Sequence, residues 1–95
     1  MRAIITSPDI LKKLDEKHGV TRREIEQCFE NKVGTYVDDS REEHRTDPPT
    51  LWFVAPTNCN RILKIIFVFR DGNIFIKSAY EASPVVIEMY ERRGM

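Results

Sequence analysis

Apolar residues near the N-terminus recur at helical spacing: Ile10, Leu11, Leu14 and His18 share one face, while Lys12, Lys13, Asp15 and Glu16 point elsewhere. Ser7-Pro8 is a helix start, with a hydroxyl to cap free N–H groups and a proline whose missing donor costs nothing there. Gly19 offers the left-handed residue that closes the helix. Thr21 and Glu24 then have the spacing of a capping box, ahead of an apolar stripe of Ile25, Cys28 and Phe29. The pattern predicts two helices in a hairpin about Gly19-Val20, preceded by a short strand over Arg2 to Ile5. In this reading His18 ends the first helix at the edge of the core, by the negative end of the helix dipole, with catalysis as the alternative.

Beyond Gly34 the period changes from helix to strand. Thr35 to Val37 suits a short strand, and Asp38 to Pro49 is a charged connection too polar to bury. Three strands are predicted after it: Thr50 to Ala55, Arg61 to Arg70 and Asn73 to Tyr80. Asp71-Gly72 is a two-residue hairpin turn that sets Arg70 opposite Asn73, Val68 opposite Phe75, Ile66 opposite Lys77 and Lys64 opposite Ala79. By parity, Leu63, Ile65, Phe67, Phe69, Ile74 and Ile76 form an apolar face towards the helices. The opposite face gathers Ile62, Lys64, Ile66, Val68, Arg70, Phe75 and Lys77. A turn over Thr57 to Asn60 would add Leu51, Phe53 and Ala55 to this second face and send Trp52 and Val54 into the core. Ser83-Pro84 repeats the helix start, followed by a stripe of Val85, Val86, Met89 and Tyr90. The predicted class is α+β, with two N-terminal helices packed on an antiparallel sheet of four to five strands and a C-terminal helix.

Composition narrows what such a domain does. A chain of 95 residues with 41% apolar content buries one modest core, so residues 1–95 read as one domain. Basic and acidic side chains balance at 15 each, so a nucleic-acid role needs a local basic surface. Counting along the sequence, residues 51–95 hold six basic and four acidic side chains, against nine and eleven before them. No apolar run suits a signal peptide or membrane span, and a cytoplasmic location is expected. Cys28 and Cys59 suggest neither a disulfide framework nor a zinc site, and no cofactor or metal is expected.

Arg61, Lys64, Arg70 and Lys77 face the single Asp71 between Arg61 and Tyr80, a basic surface able to meet RNA phosphates, with Phe75 placed to stack a base. The plainer account is that long basic side chains cover the apolar part of an open sheet. A metal-independent ribonuclease needs a base for the 2′-hydroxyl, cations for the phosphorane and an acid for the leaving oxygen. Lys64 and Lys77 are the candidate cations; His44, on the charged connection, is the candidate acid or base, ahead of Tyr80 and His18. The acids between Asp38 and Pro49 lack the glycine and ligand spacing of a calcium loop. A serine-histidine-aspartate hydrolase, a phosphate-binding glycine loop and a dinucleotide fingerprint are absent. The same mixed face also suits a protein partner, an acidic amphipathic segment or a second copy in a homodimer.

"KHGVTRREIEQCFEN" and "NRILKIIFVFRDGNIFIKSAYEASPVVIEMYERR" together resemble the BrnT toxins of bacterial type II toxin-antitoxin systems. The resemblance implies a RelE-like fold, ribonuclease activity and an antitoxin partner. It is carried by Lys17 to Val20, by Arg61 opening the long strand and by Ser78-Ala79 ending the last one. Tyr80 stands where the family usually has arginine, and a tryptophan-aspartate pair near the family's N-terminus is missing. A phenol is no substitute for a guanidinium as a phosphate clamp, so the resemblance implies a ribonuclease or a degenerate relative of one. The chain also resembles short bacterial proteins containing "REEHRTDPPTLWF", some labelled ADP-ribosyl-(dinitrogen reductase) hydrolases. Hydrolases of that name resemble large helical domains holding two magnesium ions on dispersed acids, a site that one acidic loop does not supply.

Overall fold

The computed structural model describes residues 3–38 and 48–95. The elements are β1 (Ile4–Ile5), α1 (Pro8–His18), α2 (Arg22–Asn31), β2 (Val37–Asp38), β3 (Thr50–Pro56), β4 (Ile62–Arg70), β5 (Asn73–Glu81) and α3 (Pro84–Arg93). The fold is α+β, as the pattern predicts. Its five-stranded sheet has the order β1-β5-β4-β3-β2 and is mixed, because β1 joins β5 in parallel while the other pairs are antiparallel.

Local chemistry places the helices where the sequence signals them. Ser7 and Ser83 cap α1 and α3, each accepting from the N–H three residues on. Thr21 and Glu24 complete the reciprocal capping box of α2. Gly19, at φ 60°, ends α1 and donates its N–H to the Asp15 carbonyl.

α1 and α2 cover one face of the sheet. Leu63, Ile65, Phe67, Ile74, Ile76 and Ala79 are buried there, with Phe69 partly so. Phe67 is the hub of an aromatic cluster, with ring centroids of Phe29, Tyr36, Phe53 and Phe69 between 4.9 and 6.0 Å from its own. Cys28 lies against this layer, fully buried, and donates its S–H to the Ala55 carbonyl. Burial, aided by the nearby Glu24 carboxylate and opposed by Arg61, pushes the Cys28 thiol up to about 12. The unfolded thiol ionises near its ordinary 9.0, so the contribution of this group to stability is complete below that pH and is lost as pH rises towards 12. A thiol reagent should therefore modify the exposed Cys59 at once and Cys28 only as fast as the molecule unfolds. Mass spectrometry of the alkylated peptides reads this, and equal rates at the two sites would refute it.

Two registers differ from the pattern-based expectation. The β3–β4 loop has three residues, since Pro56 pairs with Ile62 and the Thr57 N–H donates to the Arg61 carbonyl at 2.8 Å. Asn60, at φ 61°, supplies the left-handed residue such a loop requires. A change of one residue exchanges the faces of a strand. Leu51, Phe53 and Ala55 therefore pair with Phe67, Ile65 and Leu63 on the helix-covered face, whereas Trp52 and Val54 lie on the opposite one. They are buried there beneath α3, whose Tyr90 ring is 5.9 Å from that of Trp52. The expected stripe of α3 shifts accordingly: Val86, Ile87 and Tyr90 face the protein, while Val85 and Met89 are exposed. The Tyr90 hydroxyl donates to the Thr35 carbonyl, and Thr35 N–H donates to that of Gly94. This closure needs a bare Gly34, since a Cβ there would fall on the Gly94 carbonyl oxygen and within 2.7 Å of the Tyr90 hydroxyl.

The second difference is in the β4–β5 hairpin. Asp71 and Gly72 both have positive φ, as a primed turn requires, and pairing follows the expected register as far as Phe67 with Ile76. Then Ile66 pairs with Ser78, and Lys64 with Tyr80 rather than Ala79. Lys77 is the extra residue of a β-bulge. The bulge keeps Ala79 on the buried face beside Ile65 and brings Ser78 and Tyr80 onto the face of Ile66 and Lys64.

Candidate nucleic-acid interface

The bulge and the end of α1 together build one site. Tyr80 lies beside Lys64 across the hairpin, with the Lys64 ammonium 6.0 Å from its ring centroid and 4.6 Å from that of Trp52. Trp52 is buried, and its face holds the ammonium by cation–π attraction. His18, the last residue of α1, sets its ring 5.6 Å from that of Tyr80.

Arg61 holds this corner together. Its Nε donates to Glu81 at 2.9 Å, one terminal nitrogen donates to the Gly19 carbonyl and to Glu24 at 2.8 and 3.2 Å, and the other donates to the His18 carbonyl. Those two carbonyls are left without helical partners where α1 stops, and a cation there also meets the negative end of the dipole. The expected RNA-binding guanidinium is thus committed to four protein groups in this structure.

Between α1 and β5 runs a groove lined by Lys13, Lys17, His18, Lys77 and Ser78. It passes Lys17 and His18 into a shallow depression completed by Arg61, Tyr80 and Glu81. Among the described residues, Lys13, Lys17, Lys64 and Lys77 make no ion pair. Among the described residues that line the groove and the depression, Glu81 is the one acid, and it is bonded to Arg61. Four ammonium groups with no counterion among the described residues create a local field that attracts polyanions.

The structure thus brings Lys64 and Tyr80 together, joins them to His18 and Arg61, and places Lys77 on the same groove. It separates Arg70 and Phe75 from them. Those two form their own pair, with the guanidinium 5.9 Å from the ring, at the turn end of the hairpin. Arg70 lies six positions along β4 from Lys64, roughly 20 Å. His44 lies outside the described residues. Lys13 and Lys17 are the groove cations that strand parity did not reveal. Their signal was present as an i, i+4 lysine pair leading to the helix-ending His18. Among the described residues, no group of three or more His, Cys, Asp or Glu side chains is placed to hold a metal ion. No helix among them is long and apolar enough to cross a membrane. No protein-family model matches the chain, and no curated protein is significantly similar to it.

Proposed function

We propose that this chain is a BrnT-like, RelE-type domain that binds RNA in the groove between α1 and β5, as a metal-independent ribonuclease or a degenerate relative of one. One observation carries the reading. The three segments that resemble the BrnT pattern, Lys17 to Val20, Arg61 and Ser78-Ala79, are far apart in sequence and meet at one corner of the fold. That corner supplies chemistry suited to a phosphodiester. Lys17 and Lys64 offset phosphorane charge, and His18 is of the residue type that moves a proton between the 2′-hydroxyl and the leaving 5′-oxygen. Tyr80, where the family has arginine, adds an aromatic surface for a base. A domain of this kind works in the cytoplasm beside an antitoxin, and an acidic segment of that partner would compete with RNA for the groove.

The test is cleavage of total bacterial RNA by purified protein with chelator present. The wild type should cleave, and the Lys17→Ala, Lys64→Ala double variant should be about 100-fold slower while keeping its melting temperature. His18→Ala and His44→Ala, assayed beside it, identify the proton-transfer residue. A wild type that neither cleaves nor binds RNA, with or without ribosomes, sinks the reading. That outcome favours a binding module that meets only protein, a use supported by the exposed Ile62, Met89 and Met95 near α3.

A further inference from the structure

The bulge in β5 lets Ile76 and Ala79, three positions apart, share the buried face, and it also moves the extra residue between them. It takes Lys77 out of the alternating pattern and places it on the groove beside α1. Bulges re-aim a side chain in this way. Lys13 and Lys17, one helical turn apart, approach the same groove from the other side. Like charges at that spacing repel, and a third ammonium adds to the cost. The protein nonetheless leaves all three without an ion pair among the described residues, although Lys12 on the same helix pairs with Glu16. Ser78 lines the groove with them.

We infer that Lys13 and Lys77, with Ser78, form a phosphate subsite next to the Tyr80–Lys64 corner, Lys17 standing between the two and lining both. It holds the backbone phosphate next to the one that lies at His18 and Tyr80. For the identity of its ligand the subsite rests on the RNA-binding reading above; for its existence it rests on three ammonium groups that make no ion pair among the described residues, and on the bulge. The ligand chemistry is a phosphate dianion or diester, supplied either by a single-stranded RNA or by a free phosphate compound.

Two titrations of the whole chain separate these. In the first, inorganic pyrophosphate is added and amide resonances are followed by NMR. Lys13, Lys17, Lys77 and Ser78 should shift in the wild type and in Lys12→Ala, and should stay still in the Lys13→Ala, Lys77→Ala double variant. Failure of the wild-type groove to respond, or an unaltered response in the double variant, overturns the subsite. In the second, a fluorescent eight-nucleotide oligouridylate is titrated at several salt concentrations. The slope of log affinity against log salt should fall by about 0.7 for each RNA phosphate that the double variant no longer neutralises. An unchanged slope also overturns the subsite, with RNA binding itself intact. A groove that binds pyrophosphate in a protein that ignores RNA keeps the subsite and removes the RNA reading.

Discussion

Arg61→Ala should lower the stability of the domain by about 2–3 kcal/mol, a large loss for one side chain that is not apolar. The guanidinium is about a quarter exposed, and Glu24, its partner, is similarly enclosed at 23%. Removing it leaves the Glu24 carboxylate without its cation and the carbonyls of His18 and Gly19 without their donor. Glu81 contributes little to this sum, because it is 67% exposed and its pair with Arg61 is screened by water. Arg61→Lys should recover less than half of the loss, since one ammonium cannot serve four acceptors in the plane a guanidinium spans. A double-mutant cycle with Glu24→Gln should give a coupling of about 1 kcal/mol or more. Urea denaturation of the four proteins measures it. A midpoint for Arg61→Ala within error of the wild type would show that the corner is held by something else. The same variant reads function as well. If Arg61 acts by positioning α1, RNA affinity should fall in Arg61→Ala and return with Arg61→Lys at temperatures where both are folded.

The largest stability effect should come from Phe67→Ala, at about 3–5 kcal/mol. Phe67 is fully buried and is ringed by Phe29, Tyr36, Phe53 and Phe69. Its removal loses the transfer free energy of the ring and the edge-to-face packing, and the sheet backbone cannot collapse into the space. For a domain of this size such a loss lowers the melting temperature by at least about 12 °C. Phe75→Ala, on the partly exposed opposite face, should cost far less. Calorimetry of the two variants checks the contrast, and equal losses would contradict the assignment of the buried face.

Both predictions depend on features of different legibility. The helix limits, the capping box, the Gly19 stop and the Asp71-Gly72 turn were readable because each is decided within a few residues by hydrogen bonds and backbone sterics. So was the apolar face of Leu63, Ile65, Phe67, Ile74 and Ile76, since alternation needs only a strand and a core. Tertiary structure alone decided the rest. The face of Trp52 depended on whether a loop held three residues or four, and both loops satisfy the same local sequence. The bulge at Lys77 has no local signal, because it reconciles the hairpin register with burial of Ala79 against Ile65. Arg61 looked like a free cation because its partners, Glu24 and two carbonyls of α1, are about forty positions away in sequence. The groove between α1 and β5 was invisible for the same reason. Sequence by itself determined which elements form and the buried face of the β4–β5 hairpin up to the bulge; packing across the chain decided the faces of β3 and α3 and which polar groups meet, and the candidate site consists of such meetings.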